Sequence, residues 1–321
     1  MSSDRILAID VMNHPPEAKR SLGSDPFQYE EFKIMLRTTF KAMRSPKQGA
    51  GSDAPRGEAG SGGSSDAARG LLTGHESVAE LLRDMDELGY SHVVITATKM
   101  WSYRYHHKLI LDYGVDDVGA LVAEGKGRIV GAASYNPFRI EESLAEVEKG
   151  VRSYGFKYVW FHPLSFGLAP NDRRFYPLYA KCNELDIAVG MQVGQSAEVL
   201  PSDVGRPMLV DDVAIDFPNL RINLSHTGWP WIDEWCSMLW RHPNVYGDIS
   251  AYFPRSLDER QVRFMDSSRG RDKVLFGTNG LGLRACVEQF RALPIKEETQ
   301  RRVLRDNALE FLRLDPATVS A

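Results

Sequence analysis

The strongest constraint in this chain is a regular alternation of short β-branched runs with segments of helical periodicity. Ser91–Ala97, Arg128–Tyr135, Phe156–Phe161, Ile187–Val193, Arg221–Leu224, Asn244–Asp248 and Lys273–Phe276 read as strands, and Arg5–Val11 opens the series. Helical patterns fall at Phe27–Met43, Glu76–Leu88, Ile140–Tyr154, Arg174–Glu184, Pro230–Trp240, Ser256–Met265 and Leu281–Leu293. Parallel strands need helical crossovers, so alternation predicts parallel pairing. Eight such units over roughly 300 residues predict an α/β fold, the (β/α)8 barrel. An open doubly wound sheet is the alternative, and the absence of a Gly-x-Gly-x-x-Gly after the first strand counts against it.

Composition narrows the function classes. The 39 basic side chains do not exceed the 43 acidic ones, so no phosphate-backbone footprint is expected and nucleic acid is not the partner. No apolar stretch reaches the roughly 20 residues of a membrane span. The N-terminal run carries an early acidic residue and too short an apolar core for a secretory signal. Cys182, Cys236 and Cys286 are odd in number and far apart, which predicts a reducing, cytoplasmic setting rather than a disulfide framework. Residues 45–73 are dominated by Gly, Ser and Ala and cannot bury enough apolar surface to offset their ordering entropy. Too little chain precedes them for a separate core. The expectation is therefore one domain over 1–321 with a flexible insertion after the first strand.

In a barrel of this kind reactive groups stand at the C-terminal ends of strands and in the loops beyond. Those positions read Asp10-Val-Met-Asn-His14, Thr98-Lys99 through Arg104, Tyr135-Asn136, His162-Pro163, Gln192-Val-Gly-Gln195, Ser225-His226, Asp248 and Gly277-Thr-Asn279. Three of the eight histidines (His14, His162 and His226) thus converge on one rim. The bland alternative for each is an imidazole that caps a strand end through backbone hydrogen bonds.

These residues carry a resemblance. Phe156-Lys-Tyr-Val-Trp-Phe-His-Pro163, Phe175-Tyr-Pro-Leu-Tyr179, Asp216-Phe-Pro-Asn-Leu220, Ser225-His-Thr-Gly-Trp-Pro-Trp231, His242-Pro-Asn-Val-Tyr246 and Val274-Leu-Phe-Gly-Thr-Asn279 resemble the amidohydrolase-2 group of the amidohydrolase superfamily. That group includes aminocarboxymuconate-semialdehyde and resorcylate-type decarboxylases. The resemblance implies a divalent metal, zinc or manganese. Its ligands would be a His-x-His or Glu-x-His pair after strand one, a His after strand five and an Asp after strand eight, with a His after strand six as acid/base or as a further ligand. Here the first pair reads Met12-Asn13-His14, the strand-five position is an amide (Gln195, or Gln192 in a shifted register), and the strand-eight acid is Asn279. Such a set binds a hard divalent ion weakly, so no tightly held cofactor is expected. If one metal is bound, His14 and His226 are its ligands.

His226 is the first candidate for proton transfer, with His162 as its partner or as a donor to substrate. Asp248 either orients His226, completes an acid/base pair, or merely caps a loop. His14, Asn136, Gln195 and Asn279 form a candidate neutral lining, Trp229 a candidate aromatic wall, and Lys99 and Arg104 candidate counter-ions for an anionic substrate. Trp235 and Trp240 read as core. The expected activity is acid/base chemistry on a small aromatic or enolic carboxylate or carbonyl compound, a decarboxylase-like lyase. A metal-dependent hydrolase or decarboxylase with a reduced ligand set, and a non-catalytic binding barrel, are the alternatives. The partner on every reading is a small molecule, and the resemblance suggests a homodimer.

Overall fold

The ladder runs in sequence order. In the computed structural model, which describes residues 6–16, 29–37, 75–103 and 108–319, ten strands form: β1 (Ala8–Asn13), β2 (Tyr90–Thr96), β3 (Lys99–Ser102), β4 (Lys108–Asp112), β5 (Ile129–Ala133), β6 (Tyr158–Phe161), β7 (Ala188–Gln192), β8 (Ile222–Ser225), β9 (Val245–Asp248) and β10 (Val274–Leu275). Eight make one parallel sheet, β1-β2-β5-β6-β7-β8-β9-β10, each hydrogen-bonded to the next. The sheet closes on itself: Val11 N donates to Phe276 O (3.0 Å) and Asn279 N to Met12 O (2.7 Å). This closed barrel is the (β/α)8 expectation and removes the open sheet. Residues 45–73, Arg104 and the outer ends of the predicted Phe27–Met43 helix lie outside the described residues.

Side-chain chemistry explains the closure. Asp10, fully buried, accepts from Thr278 N (3.0 Å), Thr278 Oγ1 (2.6 Å), Met12 N (3.1 Å) and Asn13 Nδ2 (3.0 Å). One carboxyl thus ties β1 to the segment that follows β10. Burial pushes its pKa up to about 7 against the donors that favour the ionised form.

Strand side chains alternate between two cores. Ile9, Val11, Val94, Val130, Tyr158 and Leu275 point inward, and Phe311 of the helix Asn307–Leu312 joins them. Phe311 meets Tyr158 edge-on at 5.5 Å, and Arg221 Nε donates to its carbonyl, so this helix floors the barrel at the strand N-termini. Val93, Ile95, Val159, Phe161, Val189 and Leu224 face outward to the helices. Val78–Leu88 shows how one helix is set: Ser77 Oγ accepts from Glu80 N, Gly89 ends it at φ 76°, and Val78, Leu81, Met85 and Leu88 are its buried face. The floor leaves the opposite, C-terminal end of the barrel for chemistry.

Three features depart from expectation. An antiparallel hairpin, β3–β4, is inserted after β2. A further helix, Val115–Glu124, precedes β5, and its Gly119 admits the Tyr154 ring 2.6 Å from where a Cβ would sit. Trp240 is not core: it is 58% exposed with the Arg269 guanidinium 5.2 Å from its ring, while Trp235 is buried and donates to Leu224 O.

Candidate active site at the barrel mouth

After β8 the backbone makes a tight reversal through three left-handed residues, His226 (φ 72°), Thr227 (φ 65°) and Gly228 (φ 70°). Positive φ at two non-glycine residues is a strained arrangement that neighbouring contacts must hold. They do so here: Thr227 N donates to Asp248 O (3.0 Å), Gln261 Nε2 donates to Thr227 O (2.8 Å), and His226 N donates to Asp248 Oδ1 (3.2 Å). The reversal sets the imidazole against the end of β9, where Nδ1 lies 2.7 Å from Ser250 Oγ.

That geometry selects a tautomer. Ser250 Oγ donates its only proton to Asp248 Oδ1, and Asp248 also accepts from Ser250 N (2.9 Å) and Asn223 Nδ2 (2.7 Å). Ser250 Oγ can therefore only accept from His226, which places the imidazole proton on Nδ1. In this tautomer Nε2 is the nitrogen that carries the lone pair. Burial lowers the His226 pKa, with the Asp248 charge opposing. Asp248 is itself fully buried, so it acts on the imidazole through Ser250 and through the backbone rather than on a ligand.

His162, at the end of β6, has the opposite polarity. Its Nδ1 accepts from Ser165 N (3.1 Å) as the cap of the short helix Pro163–Phe166. The ring proton is therefore on Nε2, facing Ser196 Oγ at 3.4 Å, and Gln192 also hydrogen-bonds the ring. Burial, reinforced by His226, lowers its pKa to about 3, so it is a neutral N–H donor rather than a base. Trp160 lies between the two imidazoles, its ring 6.2 Å from His162 and 5.9 Å from His226. His14 follows β1, hydrogen-bonds Asn279, and is lowered to about 4 by burial and by His226.

His14, His162, His226 and Asn279 are thus brought into one mouth, with Asp248 beneath it. The other expected lining residues have these surroundings. Gln195 is exposed, donating to Ser202 Oγ, because Gly194 at φ 82° turns the chain outward; Gln192 is the amide that faces the mouth. Lys99 is paired with Asp112 and with Glu146 (3.4 Å) at the hairpin base, so its charge is already compensated. Asn136 Oδ1 accepts from Phe138 N (2.9 Å), so it builds the turn after β5. Trp229 is 47% exposed and contributes its backbone carbonyl to Gln195 N.

Sequence reasoning missed Ser250, Asn223, Ser196 and Glu198. The Asp248-x-Ser250 and Asn223-x-Ser225 spacings put each pair on one face at a strand end and were a usable signal. The Ser196–Glu198 loop carries none.

The residues do not suit the divalent ion that the family resemblance implies. Met12 is fully buried in the inner core, Gln192 and Asn279 are neutral amides, and the Asp248 oxygens are taken by protein donors. Among the described residues no three His, Cys, Asp or Glu side chains are arranged to hold a metal. His162 is engaged at Nδ1 by Ser165 N and at Nε2 by Ser196, and the two remaining imidazoles with amide oxygens make a weak site for zinc or manganese.

A 2-amino-3-carboxymuconate-6-semialdehyde decarboxylase from Dictyostelium discoideum is 26% identical over 283 residues, covering 74% of this chain and 76% of that protein. A TIM-barrel protein from Bordetella bronchiseptica superposes with a TM-score of 0.72 at 24% identity, covering 97% of this chain and 99% of the other. A dihydroxybenzoic acid decarboxylase from Polaromonas, with bound manganese and 2-nitroresorcinol, superposes with a TM-score of 0.62 at 16% identity over 96% of this chain and 97% of that one. Residues 9–314 match the model of an amidohydrolase family. The chain belongs to the amidohydrolase family.

Proposed function

We propose that this protein is a decarboxylase-like carbon–carbon lyase acting on a small aromatic or enolic carboxylate, with His226 moving the proton and no tightly bound metal. The observation that carries this reading is the Asp248–Ser250–His226 chain, which presents Nε2 to the mouth as a base. The relatives named above, two of them decarboxylases, support the substrate class.

The step balances with the residues present. His226 Nε2 takes the proton of a hydroxyl ortho to the carboxylate. It then returns that proton to the carbon bearing the carboxylate, giving a keto form. The C–C bond breaks, CO2 leaves, and the bond electrons flow into the carbonyl to restore the enolate, which solvent reprotonates. His162 Nε2–H, Gln192 and Asn279 are neutral donors suited to the substrate oxygens. Asp248 and Ser250 keep His226 in the required tautomer throughout.

The test is CO2 release from 2,6-dihydroxybenzoate and related hydroxycarboxylates by chelator-treated protein, with and without manganese. Turnover without added metal that is lost in His226→Asn supports the proposal. Turnover only with manganese supports a second reading, favoured by the closeness of His14 to His226, in which these two hold an ion as a reduced ligand set. Ligand binding that survives in His226→Asn without turnover in any form leaves a binding barrel. Sedimentation of the same sample tests the homodimer.

A further inference from the structure

The mouth contains a second His–Ser–carboxylate arm. His162 Nε2–H faces Ser196 Oγ, Ser196 donates its hydroxyl proton to Glu198 Oε2, and Glu198 Oε2 stands 3.9 Å from His162 Nε2. The order of groups copies His226–Ser250–Asp248 on the other side of Trp160. The carboxyl ends differ. Asp248 collects donors from His226 N, Ser250 N, Ser250 Oγ and Asn223 Nδ2. The Glu198 side chain, 10% exposed, has Ser196 and its own backbone N–H as donors, and among the described residues no Lys or Arg pairs with it.

The charged groups around it do not supply a cation. Glu31, whose carbonyl accepts from Val199 N, is a second carboxyl spent on Ser102. Arg206, on the turn whose Gly205 carbonyl accepts from Gly194 N, is paired with Glu234, and Asp203 beside it is acidic. Lys99 is committed to Asp112 and Glu146. His162 is held neutral by burial and by the Ser165 N–H on Nδ1. A carboxyl this short of donors resists ionisation, and burial pushes it up to about 7.

We propose that Glu198, beside Ser196 and His162, is a positioning residue that sets the charge of the mouth: it must carry a proton for an anionic substrate to bind. This rests on the reading of the substrate as a carboxylate. With the ring fixed by Ser165 N, a neutral Glu198 leaves His162 Nε2–H, which Ser196 and Gln192 otherwise share, available to the incoming oxygen. An ionised Glu198 holds Ser196 and His162 to itself and sets a second negative charge against the ligand.

The test is the Kd of 2,6-dihydroxybenzoate between about pH 6 and about pH 9, for the wild-type protein, Glu198→Gln and Ser196→Ala. Binding that takes up one proton weakens about tenfold per pH unit above the Glu198 midpoint. Glu198→Gln is expected to stay flat within about twofold, and Ser196→Ala to keep the slope with a midpoint at higher pH. A flat wild-type profile, or the full slope in Glu198→Gln, overturns the proposal. Should the compound bind at no pH, the carboxylate reading falls. The arm is then judged in ligand-free protein by 15N-histidine NMR, with the His162 signal assigned from His162→Gln. An inflection near pH 7 that vanishes in Glu198→Gln supports it, and no inflection in the wild type overturns it.

Discussion

Ser250 Oγ lies 2.7 Å from His226 Nδ1 while its own proton goes to Asp248, so a buried carboxylate dictates which imidazole nitrogen faces the barrel mouth. The consequence is kinetic. His226→Asn is expected to lower kcat by roughly 10²–10⁴-fold, the usual worth of a positioned proton-transfer group. Ser250→Ala, which frees the tautomer without removing the ring, is expected to cost about tenfold or more in kcat with KM nearly unchanged. Steady-state CO2 release measures both. A rise in KM at constant kcat would show that the ring binds substrate but does not move the proton.

Acid stability follows from His162. Its folded pKa is about 3 and its ordinary value 6.5. Between these, the unfolded chain takes up a proton that the folded chain refuses, so stability is full above the ordinary value and falls as pH drops. The slope attributable to this group is about 1.4 kcal/mol per pH unit. Urea unfolding at about pH 6 and about pH 5 should show that loss in the wild type and a shallower one in His162→Gln. Equal slopes would mean that the ring is protonated in the folded state.

Much of this was legible before the structure. The alternation was readable because parallel strands are buried on both faces and so appear as near-continuous apolar runs. The rim histidines followed from strand order. What was not legible depends on contacts distant in sequence or on single backbone angles. Lys99 reads as a rim cation until its pairing with Asp112 and Glu146 is seen. Gln195 and Gln192 are exchanged by one left-handed turn at Gly194. Trp240 has helical spacing close to that of Trp235 and differs only in which side of the helix reaches the barrel. Glu198 sits in a loop with no periodicity to interpret.

Barrel closure by Asp10 predicts a stability defect remote from chemistry. Asp10→Ala strands the buried donors Thr278 N, Thr278 Oγ1, Met12 N and Asn13 Nδ2. Unsatisfied buried donors cost about 1–3 kcal/mol each before relaxation, so a loss of about 3 kcal/mol or more is expected. Calorimetry should show Tm lowered by roughly 5 °C or more. A smaller change would mean that water replaces the carboxyl at the seam.

The donor set can be rebuilt. Gln192→His with Asn279→Asp places an imidazole and a carboxylate beside His14 and His226, approaching the three or more ligands that a divalent ion wants. The double variant is expected to bind manganese at least about tenfold more tightly than the wild type in titration calorimetry. Equal affinities would show that the mouth does not have the geometry of a metal site.

The central claim is that this barrel runs proton transfer at His226 without the metal that the family resemblance implies. Elemental analysis of untagged protein, purified without chelators, tests it most directly. The account predicts zinc and manganese far below one ion per chain. Near-stoichiometric metal would contradict it and would make His14 and His226 ligands rather than a proton-transfer pair.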